Sequence, residues 1–215
     1  MTDVQHQIPD DLLMGYATGA LPQAFDLVIA THVSMSDDVR SRLAGFEALG
    51  GAVLEDLEEA EIAPDSLEQT LARIGEDTDR TVTAQPKAGV FPGPLRALLG
   101  GDTDSVKWRS VGLGARQAVL HADKEGTARL LYIPAGQAMP EHSHGGMELT
   151  LVLQGGYSAD DGHFVRGDLE VADNDTHHTP IADDDGEDCI CLVATDARLK
   201  FQKLLPRIAQ PFIGI

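Results

Sequence analysis

The most constraining feature of the sequence is the stretch GQAMPEHSHGGMELTLVLQG at residues 136–155, which places two histidines and a glutamate on an apolar segment. His142 and His144 are two residues apart, so on a β-strand both side chains point to the same face. Glu148 follows a Gly-Gly turn and returns to the same point from the neighbouring strand. Imidazole and carboxylate groups that converge in this way suit a divalent transition-metal ion. The stretch therefore predicts a metal site.

The spacing of this stretch matches, without departure, the first motif of the cupin superfamily, G(x)5HxH(x)3E(x)6G. The second cupin motif is degraded, because Asp-Asn-Asp stands where the family has Pro-x-Gly and Ala182 replaces the terminal asparagine. Counting from Gly167 along that motif still reaches a histidine, and alternation sends its neighbour His177 to the other face. The resemblance thus implies four metal ligands: His142, His144, Glu148 and His178.

Short alternating runs separated by turns fill the chain from about residue 105 onward, among them ARLLYIPA, MELTLVLQG and DCICLVATD. Evenly spaced short strands of this kind indicate an antiparallel barrel or jelly roll. Before residue 100 the pattern of apolar residues is that of helices. Phe25, Val28, Ile29 and His32 recur at the spacing of one helix face, and APDSLEQTLARIG predicts a fourth helix after three short ones.

The expected fold class is therefore α + β with two domains. A small helical bundle is expected in residues 1–85, and a cupin-like antiparallel β-barrel (jelly roll) in residues 105–215. Residues 86–104 are expected to form a linker with a short helix, because the stretch EDTDRTVTAQPKAGVFPG at residues 76–93 is polar and contains proline and glycine.

The charge balance limits the partners. The chain has 35 acidic against 16 basic residues, a net charge of −19, and such a surface repels phosphate backbones. Direct binding of nucleic acid is not expected, whereas a basic protein partner would be attracted. Met1 is followed by polar residues and no apolar run approaches the about 20 residues that span a bilayer. A cytoplasmic protein without membrane contact is expected.

Nearly the whole chain resembles the ChrR-type anti-sigma factors, which join a short helical domain to a cupin-like domain. The resemblance is carried by ELTLVLQG, HTPIA, DCICLVATDA and the tail LLPRIAQPFIGI. It implies that the helical domain sequesters an extracytoplasmic-function sigma factor. The cupin-like domain would be needed for its release after singlet oxygen or related oxidative stress. A homodimer of the protein free of its partner is left open.

One feature departs from the zinc-binding anti-sigma factors, which carry H-x3-C-x2-C. Here His32 occupies the histidine position, but Ser36 and Val39 occupy the cysteine positions, and neither replaces a thiolate. His6 alone would remain near the N-terminus. We expect the N-terminal zinc site to be lost, with Ser36 capping a helix and Val39 in the core. One divalent metal in the cupin-like domain is expected, zinc first, with manganese, iron or nickel left open.

Two cysteines, Cys189 and Cys191, lie two apart on a predicted strand and share one face. Nothing nearby in sequence would lower the pKa of either thiol, so buried strand thiols are favoured over a redox sensor.

Two other function classes stay open at this point, a metal-dependent cupin enzyme such as a dioxygenase or isomerase, and a small-molecule sensor. The enzyme would need an open coordination position and an acid–base group, and only Glu141 and Tyr132 lie nearby in sequence. The attached helical domain favours regulation over catalysis. We therefore expect no enzymatic activity.

Overall fold

A computed structural model of the chain describes residues 6–76, 89–160, 162–184, 186–197 and 200–201. The boundary expected near residue 85 and the tail LLPRIAQPFIGI lie outside the described residues, so the domain limits stay a prediction. Five helices precede the sheets: α1 Asp10–Ala17, α2 Gln23–Met35, α3 Asp37–Glu55, α4 Ser66–Glu76 and α5 Gly93–Leu99. The four helices that the sequence predicts are confirmed, but the third, α3, has 19 residues and is not short.

The start of α3 follows from local sequence. The Ser36 hydroxyl accepts a hydrogen bond from the backbone N–H of Val39 at 3.3 Å, and two aspartates occupy the first turn, where they complement the helix dipole. Val39 itself is fully buried. Both structural roles expected for these two residues are confirmed.

The rest of the chain is antiparallel β-structure, as the short alternating runs predict. Its strands are β1 Arg109–Gly112, β2 Ala115–Ala122, β3 Thr127–Ile133, β4 His142–Ser143, β5 Glu148–Gln154, β6 Gly156–Ala159, β7 Gly162–Val165, β8 Leu169–Ala172, β9 His177–His178, β10 Ile181–Ala182, β11 Cys189–Thr195 and β12 Lys200–Phe201. Six of them form one sheet in the order β1-β2-β3-β11-β5-β8, and two three-stranded sheets run β10-β6-β7 and β12-β4-β9. The expected α + β class with a cupin-like β-domain is confirmed.

The central strands β5 and β11 of the six-stranded sheet are buried on both faces. On β5 and β11, alternate residues such as Leu151 and Leu192 belong to a core shared with the helices, while Val152 and Cys191 face a second core. That second core also contains Tyr157 from β6, together with residues of β7 and β10. Near-continuous apolar strands are the sequence pattern of a sheet covered on both sides. The molecule therefore has a helical layer, a large sheet and a layer of small sheets.

Helix α2 lies directly on the large sheet, in contact with β3, β5 and β11. Its side chains Phe25, Val28 and Ile29 are buried in the shared core. A Cβ at Gly126 would lie 3.1 Å from the carbonyl oxygen of Thr195 and 3.3 Å from the Cβ of Ala24, so a side chain there would require this turn and the helix to move apart slightly.

The segment before α1 is held on two sides. The guanidinium group of Arg42 on α3 donates to the carbonyl oxygen of Ile8 at 2.9 Å and to the Asp10 carboxylate. On the other side, the backbone N–H of Leu169 donates to the carbonyl oxygen of His6 at 2.9 Å. The side chain of Asp168 accepts from the backbone N–H of His6 at 3.2 Å. The N-terminal segment thus connects α3 to strand β8.

The shared core predicts a large effect of truncation at its centre. Ile29→Ala is expected to lower the free energy of unfolding by about 2–5 kcal/mol, because Ile29 is fully buried between helix and sheet. Leu98→Ala on α5, where the leucine is exposed, is the matched control and should stay within about 0.5 kcal/mol of the unchanged protein. Urea unfolding followed by far-ultraviolet circular dichroism measures both, and equal losses would contradict the shared core.

No helix in the described part of the chain is both long enough and apolar enough to cross a membrane.

Candidate metal centre

The structure brings the four predicted ligands together. His142 lies on β4, which pairs with β9 so that His142 stands opposite His178. His144 follows β4, and Glu148 begins β5. All four side chains are buried, and one potential ligand atom of each lies within 4.8 Å of the others. His177, the neighbour expected to point away, is exposed. That the cluster binds a metal ion stays a prediction.

The histidine ring nitrogens are oriented toward one another. The Nε2 atom of His178 lies 3.1 Å from Nε2 of His142 and 3.2 Å from Nε2 of His144. The Nδ1 atom of His142 lies 2.8 Å from the carbonyl oxygen of Pro140, which can only accept, so Nδ1 carries the proton. In that tautomer the Nε2 lone pair of His142 faces the centre of the cluster. Such a convergence of lone pairs fits a bound cation.

The carboxylate completes the cluster from the third strand. One oxygen of Glu148 lies 3.6 Å from Nδ1 of His144, and the hydroxyl of Thr150 donates to the other at 3.3 Å. Glu148 stands beside Ala172 of β8, on the inner face of the large sheet. Three imidazoles and one carboxylate are a ligand set that zinc, manganese, iron and nickel all accept.

Burial controls the protonation of these groups. It lowers the pKa of His142 and of His144 to about 4, so both imidazoles are neutral near pH 7. Burial, together with the neighbouring Glu170 carboxylate, raises the pKa of Glu148 to about 7. In the absence of a cation Glu148 therefore holds its proton more strongly than an exposed glutamate. Neutral imidazoles are ready to bind a metal, whereas Glu148 must first release its proton.

Metal affinity is therefore expected to depend on pH. Below about pH 7 each ion must displace the Glu148 proton, so the apparent affinity should fall about tenfold per pH unit, and it should level off above that value. His142 and His144 add competing protons only near pH 4. Competition with a chelator between pH 5.5 and 8 measures the slope. Glu148→Gln is the control, since weaker but pH-independent binding is expected, and a flat profile for the unchanged chain would contradict the assignment.

Sequence reasoning missed Glu170, which lies on β8 directly behind the cluster. One carboxylate oxygen lies 3.0 Å from Nδ1 of His178, and the other accepts from the Tyr157 hydroxyl at 2.5 Å. Burial opposes ionisation of Glu170, but the hydrogen bonds from His178 and Tyr157 outweigh it and lower the pKa of the carboxyl. The sequence feature that could have identified Glu170 is a charged residue at an inward position of the otherwise apolar strand LEVA.

The residues of the expected lost zinc site lie elsewhere in the fold. His32 is fully buried on α2, and burial lowers its pKa to about 4. The ring of His6 packs on Phe164 with the centroids 4.5 Å apart. Across the described ranges, the cupin-like cluster is the only group of three or more potential metal-ligating residues that converges. The loss of the N-terminal zinc site stays a prediction.

Cys189 and Cys191 are buried on β11, with the sulfur atoms 3.5 Å apart. The hydrogen bond with Cys189 and burial both raise the pKa of the Cys191 thiol well above its ordinary value. The expectation of buried strand thiols is confirmed.

Comparisons with known proteins give a consistent picture. Residues 97–197 match the family model of the ChrR cupin-like domain. The chain is 43% identical over 212 residues to the anti-sigma-E factor ChrR of Cereibacter sphaeroides, an alignment that covers 99% of each protein. The structure is similar to the anti-sigma ChrR in its crystal complex with SigE from Rhodobacter sphaeroides. That match has a TM-score of 0.78 and 42% identity, and covers 90% of this chain and 100% of the other.

Proposed function

The chain belongs to the ChrR family of anti-sigma factors, and on that basis we propose that it sequesters an extracytoplasmic-function sigma factor and releases it under oxidative stress. The observation that carries the proposal is similarity over 99% of the chain to a regulator that is itself an anti-sigma factor, not an enzyme. This function places the protein in the cytoplasm, where RNA polymerase uses its sigma factors.

The surface that would hold the sigma factor lies on α4 and the second half of α3. On α4, Leu67, Leu71 and Ile74 recur at the spacing of one helix face and are 70%, 59% and 64% exposed. On α3, Val53 and Leu54 are exposed in the same way. Soluble proteins rarely leave apolar stripes of this kind uncovered unless a partner covers them. We call these five side chains the α3–α4 apolar surface.

Charge supports a basic partner for the same region. The connection between α3 and α4 contains Glu58, Glu59 and Glu61, all exposed, and no basic residue lies between Glu55 and Asp65. A sigma factor presents basic faces to promoter DNA. An acidic segment beside an apolar surface would attract such a face and compete with DNA for it.

The cupin-like half would supply the regulation. His142, His144, Glu148 and His178 would hold one divalent ion, with zinc favoured because four protein ligands nearly fill its coordination shell. The bound ion would order the barrel by joining β4, β5 and β9 at one point. Oxidation of a ligand, or loss of the ion, would remove this connection between the strands and promote release of the sigma factor.

The test is to isolate the full chain, with an affinity tag, from its own cells and to identify the bound protein by mass spectrometry. A sigma factor in about equal amount is expected. The purified complex of the chain with its sigma factor should then fail to support transcription from the cognate promoter in a reconstituted reaction. Exposure of the complex to singlet oxygen should restore transcription. Recovery of the full chain without any sigma factor, in cells that express one of this class, would contradict the proposal.

A further inference from the structure

Glu170 is a buried carboxylate whose two oxygens are both engaged. Its side chain is 3% exposed and it is not one of the four converging residues. One oxygen receives the hydrogen bond from His178 and the other receives that from Tyr157. A buried carboxylate with both oxygens hydrogen-bonded to side chains of two other strands is a fixed part of the barrel, not a solvated surface group.

The first contact determines which nitrogen of His178 is available. An ionised carboxylate can only accept a hydrogen bond, so Nδ1 of His178 must carry the ring proton. In the neutral ring, the form that binds a metal, Nε2 then keeps its lone pair. Nε2 is the atom that lies 3.1 Å and 3.2 Å from the corresponding atoms of His142 and His144. Glu170 thus has the same relation to His178 that the Pro140 carbonyl has to His142.

The second contact holds Glu170 itself in place. Tyr157 on β6 is 3% exposed, and its ring stacks on Phe164 of β7 with the centroids 5.2 Å apart. On the other side, Glu170 stands opposite Thr150 in the pairing of β8 with β5. The carboxylate is therefore fixed between the small sheet and the large sheet before any ion arrives, which is the preorganisation that tight metal binding requires.

We propose that Glu170 is a positioning residue for the metal centre, which holds His178 in the Nδ1–H tautomer with Nε2 directed at the ion, and that Tyr157 anchors Glu170. The proposal rests on metal binding by the four clustered residues. Carboxylates that accept from the second nitrogen of a metal-bound histidine fix its orientation and increase its basicity.

Three variants test the role. Glu170→Ala removes the acceptor, and the affinity for zinc measured by chelator competition should fall about 10- to 100-fold. Glu170→Gln keeps the shape and one neutral acceptor oxygen, so it should restore part of the loss. Tyr157→Phe keeps the acceptor but removes its anchor and should weaken binding less than Glu170→Ala. Glu125→Gln, at an exposed turn, is the matched control and should bind zinc as the unchanged chain does.

A second readout does not need the ion. Long-range nitrogen–proton NMR of the metal-free full chain reports which nitrogen of His178 carries the proton. Nδ1–H is expected in the unchanged chain and a shift toward Nε2–H in Glu170→Ala. Nε2–H in the unchanged chain, or unaltered zinc affinity in Glu170→Ala, would overturn the role of Glu170. Failure of the unchanged chain to bind zinc, manganese, iron or nickel would instead overturn the metal centre and, with it, this proposal.

Discussion

Leu71→Asp on α4 is expected to weaken binding of the sigma factor at least about a hundredfold, which corresponds to loss of a hot-spot contact worth more than 2 kcal/mol. Leu71 is at the centre of the three exposed side chains on α4, so the partner would have to bury a carboxylate where it now covers a leucine. The substitution should leave the free protein folded because the side chain is already exposed. Isothermal titration with the purified sigma factor measures the loss.

The matched control for this prediction is Leu98→Asp, which changes an equally exposed leucine on α5, outside the α3–α4 apolar surface. Its affinity should stay close to that of the unchanged chain. If Leu71→Asp bound as tightly as the control, the sigma factor would have to be held by another surface, and the role assigned to α4 would be wrong.

His178→Ala is expected to reduce the metal content from about one ion per chain to nearly none. Loss of a direct ligand should cost more than the about 10- to 100-fold that removal of a supporting carboxylate costs. His177→Ala is a close control, since His177 is the preceding residue on the same strand but is exposed. Elemental analysis of the purified full chain measures both. Equal metal content in the two variants would refute the assignment of His178.

The same measurement tests the N-terminal half. With Ser36 and Val39 at the positions of two thiolates, the unchanged chain should contain no second equivalent of zinc. A second ion that survived His178→Ala would show that His6 and His32 bind metal after all. The helical layer is expected to fold without a metal, because Val39 and its neighbours already form a core.

The sequence predicted the cluster well because its geometry is local. His142, His144 and Glu148 lie close along the chain, on either side of a Gly-Gly turn. Because β4 and β5 belong to different sheets, the packing of those sheets completes the convergence. His178 could be placed only by counting along a degraded motif, and the β4–β9 register then set it opposite His142.

Neither the contact of Glu170 with His178 nor the packing of α2 on the large sheet could be predicted from the sequence. Glu170 and His178 lie on successive strands, β8 and β9, joined by the turn at residues 173–176, and the motif that located His178 has no position for Glu170. The amphipathic pattern of α2 predicted a buried face but not what covers it. His32, a candidate ligand from its position in the sequence, is fully buried on that helix.

The core that α2 shares with the large sheet makes the two layers one thermodynamic unit. Any ion that binds only the folded barrel stabilises this unit by mass action, by about 2.7 kcal/mol when its concentration is a hundred times its dissociation constant. Helix α2, buried against β3, β5 and β11, would share that protection and exchange its amide protons more slowly. The exposed side chains of α4 lie outside this core, so the ion would protect the amides of α4 less than those of α2.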